Sequence, residues 1–438
     1  MLPVYFDARL VGHIEERRPG LAFTYVTSWL EAPAVFALST TMPLRREPWP
    51  AEIATPWFAN LLPEERQLEQ IGRLLGHSPA DVYALLEEIG RDTAGALSIG
   101  APQPVEKAEY RALDETGLAH AIVRLPERPL LAGEEGVAIS LAGAQSKLVV
   151  AVLDGGIHLP LRGAASTHIL KPESEHLYAT VENELLCMRL AERCQLRIAR
   201  TSMGRAGDKR YLLVERFDRH TLADRNVRRG HQEDFCQALG LYPTQKYETR
   251  HGPALVDLYR IVDRHARRPA WDRLALLDLV IFACCIGDTD RHGKNYSLKL
   301  TDGGPSLAPG YDLMSALAWD GSTRNLAMKI AGQARAEHLQ RRHWERFANQ
   351  VRLGPAATVR RVAQLAAAIA HNVPALAQEL GDEYHAACGA DRVALRLFAD
   401  RIRDRAMTVA ANCVRGPRTS AASAATASEA PDDSEESA

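Results

Sequence analysis

Lysine is scarce in this chain, and several other sequence signals are missing. Only eight of the 53 basic residues are lysines, and the seven cysteines are scattered without a CxxC pair. Isolated cysteines in apolar settings are typical of reduced, buried thiols rather than disulfides or zinc sites. The net charge is −2, so the charge balance by itself indicates neither a nucleic-acid-binding protein nor a membrane-surface protein.

Long hydrophobic runs are also missing. The apolar stretch LALLDLVIFACCI is shorter than the ~18–20 residues that a membrane-spanning helix needs. The N-terminus MLPVYFDARLVGHIEE turns polar too early for a secretory signal. We therefore expect a cytoplasmic protein. With 438 residues, of which 46% are hydrophobic and 25% charged, the chain is long enough for about two or three globular domains.

Two kinds of periodicity divide the chain. In HSPADVYALLEEIG, apolar residues recur at helical spacing, with Ser78 as the expected N-cap and Pro79 at the first helical position. From residue 137 the period changes to two, which predicts a hairpin turning at Asp154-Gly155-Gly156. A strand (THILK), a helix (VENELLCMRLAERCQL) and a second hairpin ending in YLLVERFDR follow. Beyond about residue 230, helices dominate.

These patterns predict an α+β fold with a β-rich N-terminal lobe, a helical C-terminal lobe and a ligand cleft between them. We expect an N-terminal subdomain over residues 1–105, the rest of the N-terminal lobe over 106–222, and the helical lobe over 223–415. Residues 416–438 are acidic and rich in Ser and Ala, a composition that predicts a disordered tail.

The segment GDTDRHGKNYS directly follows the long apolar run. It places Asp290 and Asn295 five residues apart, and Asp312 follows 17 residues later, beyond a short predicted hairpin. Carboxylate and carboxamide oxygens suit Mg²⁺. Protein kinases use this order: the first Asp orients the hydroxyl nucleophile, and the Asn and second Asp bind the metal. The alternative is that Asp288, Asp290 and Asn295 only cap helices and turns, which any one of them alone would favour. The spacing, together with an upstream half able to hold a nucleotide, favours a kinase.

The β-rich half contains candidate nucleotide contacts. Lys171 ends a predicted strand, from which its side chain is suited to contact the α- and β-phosphates, and Glu184 in the following helix is its candidate partner. Glu215 and Phe217 lie in YLLVERFDR, where a two-lobed kinase has the connector that contacts the adenine edge. The alternative is that Lys171 and Glu184 are ordinary surface residues, and that YLLVERFDR is a strand end whose charges lie in solvent.

A candidate phosphate loop lies in SLAGAQSKLVV. Gly143 is flanked by Ala142 and Ala144, and Lys147 follows. Small residues allow backbone N–H groups to approach phosphate oxygens. An ordinary tight turn is the alternative for this segment.

Together these segments resemble the HipA family, the Ser/Thr protein kinase toxins of bacterial type II toxin–antitoxin modules. The matching runs, in the family's order over about residues 1–410, are FANLLPE, LLEEIGRDTAGAL, ISLAGAQSK, THILKPE, VENE, LVERFDR, QEDFCQALG with TQKYE, GDTDRHGKNYS and PGYDLMSA. The resemblance implies a two-lobed protein-kinase-like fold with an ATP cleft between the lobes. It also implies ATP and Mg²⁺ as cofactors.

The resemblance assigns a role to each matching residue. Asp290 is implied as the catalytic Asp, and Ser140 as the site of an autophosphorylation that ejects the phosphate loop and ends activity. Asp288 is expected to brace the catalytic segment, and Ser146 stands where the family has an acidic residue. The implied ligand-binding and supporting residues are Asn295 and Asp312 for Mg²⁺; Ala142, Gly143, Ala144, Gln145, Lys147, Lys171, Glu215, Phe217, His292 and Lys294 for ATP; and Glu184 and Lys246 in support.

The resemblance also implies partners. Family targets are aminoacyl-tRNA synthetases, glutamyl-tRNA synthetase in the best-known member, and the inhibitor is a HipB-like helix-turn-helix antitoxin that carries the toxin to operator DNA. Two alternatives stay open. One is a catalytically weak corepressor whose Arg-rich stretches, such as DRNVRRGH, contact DNA phosphates. The other is a metal-dependent hydrolase with Asp288, Asp290 and His292 as ligands.

Overall fold

A computed structural model describes residues 1–17, 19–33, 35–103, 108–143, 145–222, 226–301 and 303–414. Two of the sequence predictions fall outside these ranges: the disordered tail at 416–438 and the place of Ala144 in the phosphate loop. Within the described part of the chain, no helix combines the length and apolar character that crossing a membrane requires.

The first hundred residues form a four-stranded antiparallel sheet packed against short helices. The strands, in the spatial order β3-β2-β1-β4, are β1 (Leu2–Phe6), β2 (Arg9–Glu16), β3 (Leu21–Tyr25) and β4 (Leu97–Ile99). The helices are α1 (Thr27–Leu30), α2 (Ala51–Ala59), α3 (Glu65–Leu75) and α4 (Val82–Ile89). The predicted start of α4 was wrong. Asp81 caps the helix by accepting from Ala84 N–H at 3.0 Å, whereas Ser78 forms a turn before it.

A second antiparallel sheet, in the order β5-β7-β6-β8-β10-β9, completes the β-rich half. Its strands are β5 (Glu109–Leu113), β6 (Leu148–Leu153), β7 (Gly156–Leu161), β8 (His168–Pro172), β9 (Thr201–Ala206) and β10 (Lys209–Glu215), with helices α5 (Glu115–Arg124) and α6 (Thr180–Arg193). The predicted turn, second hairpin, strand and helix are present, but the first hairpin begins at Leu148 rather than at residue 137. The described residues between 137 and 147 form a loop with one isolated bridge at Ile139. Asp154 and Gly155 have φ of +50° and +77°, as a tight hairpin turn requires.

The second half is mostly helical. Its helices are α7 (Phe235–Ala238), α8 (Leu255–His265), α9 (Pro269–Ile286), α10 (Arg341–Gln350), α11 (Pro355–Cys388) and α12 (Arg392–Val414). Short strands pair as β11 (Arg219–Thr221) with β12 (Val227–Arg229), β13 (His231–Asp234) with β14 (Ser297–Leu300) and β15 (Ser306–Leu307), and β16 (Asn325–Ile330) with β17 (Gln333–Arg335). Short 3-10 turns cover Pro129–Leu131, Pro243–Gln245, Glu248–Arg250, Gly293–Asn295 and Ala336–His338.

The chain has two hydrophobic cores among the described residues. One lies between the two large sheets, and the other surrounds the almost wholly buried second half of α9 and extends to α6, α11 and α12. Ile169 of β8 packs against both cores. The polar segment that follows α9 therefore leaves the interior at the boundary between the two halves.

Candidate active site

The polar segment begins where α9 ends. Gly287 ends the helix with φ +68°, and a Cβ here would lie 2.5 Å from the Leu317 side chain, so both conformation and space require glycine. The next residue, Asp288, is buried, and its Oδ1 accepts a hydrogen bond from Asp290 N–H at 3.0 Å. Asp288 therefore braces the segment, as predicted. Its burial raises its pKa to about 8.

Asp290 projects its side chain into the cleft, where 66% of the side-chain surface is exposed. The walls of the cleft still limit hydration of the carboxylate, and this desolvation, with the nearby charge of Asp312, raises the pKa of Asp290 to about 6. Its Oδ1 accepts a hydrogen bond from the Tyr247 hydroxyl. Asn295 donates from Nδ2 to the Asp290 carbonyl at 2.8 Å, so the Asn295 Oδ1 is the atom left for another ligand.

Lys171 lies between two carboxylates that come from distant parts of the chain. Its Nζ is 2.7 Å from Glu184 Oε1 on α6 and 2.6 Å from Asp312 Oδ1. The pair predicted for Lys171 and Glu184 is therefore present. Burial alone would raise the pKa of Asp312, but the Lys171 ammonium outweighs it and lowers that pKa to about 2. Asp312 is therefore ionised.

Ser140 is fully buried at the start of the candidate phosphate loop. Its hydroxyl donates to the Leu61 carbonyl at 2.8 Å, and its N–H donates to the Asp92 carbonyl at 3.0 Å. The neighbouring Ile139 pairs with Asp92 as an isolated parallel bridge. These contacts hold the beginning of the loop against the N-terminal subdomain.

The phosphate loop closes over Lys147. The Lys147 ammonium donates to the Ala142 carbonyl, and Gly143, with φ +115°, approaches it so closely that a Cβ would lie 2.5 Å from Nζ. Gln145 lies half-buried in the same loop. Among the described residues Lys147 makes no ion pair, and its burial lowers its pKa to about 8. A buried ammonium without an anion is suited to bind phosphate.

Glu215 and Phe217 lie in the connector between the two halves. Glu215 is exposed at the end of β10, where its N–H donates to the Arg200 carbonyl at 2.9 Å. The Phe217 ring stacks on Tyr311, with centroids 5.7 Å apart and planes inclined by 27°. Because Tyr311 immediately precedes Asp312, Phe217 lies beside the candidate metal ligand.

Buried charges surround the connector, for which charges in solvent were the alternative considered from the sequence. Asp92 Oδ1 is 2.9 Å from Arg219 Nη2 and 3.1 Å from Arg229 Nη2, and Asp218 Oδ2 is 2.8 Å from Arg216 Nη2. Against the effect of burial, these guanidinium groups lower the pKa of Asp92 to about 2. Arg229, in the Arg-rich stretch considered for DNA contact, is 2% exposed and serves this network instead. The only sequence signal for this network was the family-like run LLEEIGRDTAGAL, which contains Asp92. No spacing in the sequence linked Asp92 to the connector.

The prediction that Lys294 contacts phosphate does not agree with its surroundings. All three ammonium donors are used within the protein, at 2.6 Å to Asn60 Oδ1, 3.3 Å to the Asn60 carbonyl and 2.8 Å to Asp234 Oδ2. Lys246, predicted as a supporting residue, lies 2.7 Å from Glu64 Oε2. Both lysines thus connect the catalytic half to the N-terminal subdomain.

His292 lies nearly buried beside the catalytic segment. Its ring is perpendicular to the Tyr247 ring, with centroids 4.9 Å apart. Burial and the Lys246 charge lower the pKa of His292 to about 3, so the imidazole is neutral at physiological pH. Its Nδ1 is buried and has no hydrogen-bond partner among the described residues. An atom in this state is suited to a hydrogen bond with a ligand.

Comparisons with known proteins agree with this geometry. The model of the HipA N-terminal domain matches residues 2–100, and that of the HipA-like C-terminal domain matches residues 139–375. The protein named "Putative kinase Y4mE" of Sinorhizobium fredii is 39% identical over 93% of this chain and 98% of its own length. This chain belongs to the HipA family.

A sequence and a solved structure from Shewanella oneidensis extend the comparison. The Ser/Thr-protein kinase toxin HipA is 31% identical over 70% of this chain and 73% of its own length. A solved structure of HipA with HipB and operator DNA superposes with a TM-score of 0.76, at 24% identity, over 94% of this chain and 96% of that one. The predicted HipA-type, kinase-like fold and the prediction of a kinase are therefore confirmed. The roles of individual residues stay predictions.

The donor set of this HipA-family site fits a nucleotide with Mg²⁺. Ionised Asp312 and the Asn295 Oδ1 are two oxygen atoms of the kind that Mg²⁺ prefers, and kinases complete the metal's coordination with phosphate and water. Lys147 and Lys171 provide the positive charge that phosphates need. The relatives named as kinases favour the kinase over the hydrolase alternative.

Proposed function

We propose that this HipA-family protein is an ATP-dependent Ser/Thr protein kinase toxin of a type II toxin–antitoxin module. One observation carries the proposal: Lys171 bridges Glu184 and Asp312, and the exposed Asp290 lies close enough to Asp312 for that charge to raise the pKa of Asp290. This arrangement corresponds to the paired lysine, metal-binding aspartate and catalytic aspartate of protein kinases.

The nucleotide is proposed to bind between the β-rich and helical halves. ATP would supply the transferable phosphoryl group, and Mg²⁺ would neutralise its charge. Lys147, Lys171 and the neutral His292 are the proposed phosphate contacts, together with backbone N–H groups of the loop at 142–145. Asn295 and Asp312 would hold the metal. Phe217 and the backbone at Glu215 are the proposed adenine contacts.

Asp290 is the proposed base for the substrate hydroxyl. With a pKa of about 6, its carboxylate is mostly ionised at pH 7 and can accept a proton in a hydrogen bond from a Ser or Thr side chain. The hydrogen bonds from Asp290 N–H to Asp288, and from Asn295 to the Asp290 carbonyl, hold its backbone in place. Orientation of the nucleophile is therefore its main contribution.

Ser140 is the proposed autophosphorylation site. Its hydroxyl is buried against Leu61, so it has to leave this position before it can accept a phosphoryl group. A phosphoserine dianion has no proton to donate to the Leu61 carbonyl, and its charge would be costly to bury there. The modified segment would then stay out of its pocket, which would separate Lys147 from the nucleotide and stop the reaction.

The substrate and partners are proposed from the family. We propose an aminoacyl-tRNA synthetase such as glutamyl-tRNA synthetase as the target, a HipB-like antitoxin as the inhibitor, and operator DNA reached mainly through it, in the cytoplasm. The solved assembly of Shewanella oneidensis HipA with HipB and operator DNA supports the antitoxin part of this proposal.

Labelling with γ-labelled ATP and Mg²⁺ tests the proposal. The wild type should acquire label on Ser140, and Ser140→Ala should lose it. Ser146→Ala removes a hydroxyl from the same loop and should keep the label, which makes it the matched control. A wild type that neither binds ATP nor acquires label would contradict the proposal and favour the corepressor alternative.

A further inference from the structure

One hydrogen bond at the site is not explained by the kinase reaction. The Tyr247 hydroxyl donates to Oδ1 of Asp290, the carboxylate proposed above to accept the substrate O–H. Resting on that proposed function, we propose that Tyr247 occupies the acceptor-hydroxyl position on Asp290 until a protein substrate binds. A protein substrate would then bind by displacing the Tyr247 hydroxyl.

The backbone beside Tyr247 is fixed on two sides. The Lys246 carbonyl accepts from Gly293 N–H at 3.1 Å, which joins this segment to the catalytic segment. The Lys246 ammonium lies 2.7 Å from Glu64, which joins it to the N-terminal subdomain. The hydroxyl therefore leaves Asp290 by rotation of the tyrosine side chain between rotamers rather than by movement of the whole segment.

The Tyr247 hydroxyl resembles the group that it replaces. Desolvation and the Asp290 carboxylate both raise the pKa of Tyr247, so it is a neutral O–H donor at physiological pH, as a Ser or Thr hydroxyl is. Its ring packs edge-on against His292. Substitution by phenylalanine keeps this ring contact and removes only the oxygen, so a folded variant is expected.

Removal of the hydroxyl opens Asp290 to other O–H groups, including water. A water molecule in this position would give one proton to Asp290 while its oxygen forms a bond to the γ-phosphorus. The bond from that phosphorus to the β,γ-bridging oxygen breaks, and the products are ADP and inorganic phosphate. Asp290 returns the proton to solvent. Tyr247→Phe should therefore hydrolyse ATP several-fold faster than the wild type.

A chemical probe that needs no added nucleotide tests the contact between Tyr247 and Asp290. A water-soluble carbodiimide with an amine nucleophile modifies protonated carboxyl groups, and peptide mapping measures the rate at Asp290 in the full chain. Because the Tyr247 hydroxyl occupies one oxygen of the Asp290 carboxyl group, Tyr247→Phe should leave that oxygen open to the reagent and be modified several-fold faster. Tyr242→Phe removes a hydroxyl from a side chain that is 44% exposed, five residues away, and should react like the wild type.

The two readouts separate this inference from the proposed function. If the wild type labels Ser140 but Tyr247→Phe has the same carbodiimide rate, or slower ATP hydrolysis, Tyr247 does not occupy the acceptor position and the inference is wrong. Slower hydrolysis would instead assign Tyr247 to holding Asp290 in place. If the wild type transfers no phosphate at all, the proposed function fails, and the inference fails with it.

Discussion

Affinity for ATP should fall as pH rises through the pKa of Lys147. Burial lowers that pKa to about 8, and the only hydrogen-bond partner in the described chain is the neutral Ala142 carbonyl. Because only the protonated ammonium attracts phosphate, the affinity for ATP is highest well below this pKa and falls as the pH rises above it. A group with this pKa is about nine-tenths protonated at pH 7 and about one-tenth at pH 9. The dissociation constant for Mg·ATP should therefore rise about tenfold between these values.

Isothermal titration calorimetry at several pH values measures this change. Lys147→Arg is the matched variant, because a guanidinium stays charged across the range. Its dissociation constant should vary less than twofold from pH 7 to pH 9, which separates Lys147 from other groups that titrate there, such as Asp288. A flat profile for the wild type, or equal slopes for the two proteins, would refute the role given to Lys147.

Two further predictions concern buried ion pairs. Asp92→Asn leaves Arg219 and Arg229 without their shared carboxylate and should lower the free energy of unfolding by about 3–5 kcal/mol in urea denaturation. Asp208→Asn, at a fully exposed side chain, should change it by less than about 0.5 kcal/mol; equal effects would contradict the buried network. Lys294→Met should destabilise the fold by about 3 kcal/mol while changing the ATP dissociation constant less than twofold. A large loss of ATP affinity in a folded Lys294→Met protein would restore the phosphate role.

Local sequence patterns predicted much of the fold and part of the site. Periodicity and turn residues within a short window predicted the hairpins, the strand that bears Lys171 and the helix that bears Glu184. Lys171 contacts Glu184 because this strand and the next helix along the chain are neighbours in the fold. The order of Asp290, Asn295 and Asp312 indicated the chemistry because kinases place these groups in sequence along one segment and hairpin.

Local sequence patterns could not predict contacts between segments that are distant along the chain. Asp92 meets Arg219 across 127 residues, and Lys294 meets Asn60 across 234, because the N-terminal subdomain packs on the catalytic half. Nothing in the local sequence distinguishes these charges from solvated ones. The TQKYE segment was part of the family resemblance, but the contact of Tyr247 with Asp290 could not be predicted, because it forms only through the tertiary fold.

Phosphoryl transfer by Asp290→Asn is the most direct test of the account. Full-length wild type and variant are compared with γ-labelled ATP and Mg²⁺, and ATP binding is measured in parallel by calorimetry. The account predicts that the variant binds ATP within about twofold of the wild type but loses several orders of magnitude in labelling rate. A variant that labels at the wild-type rate, or a wild type that binds ATP and transfers no phosphate, would contradict it.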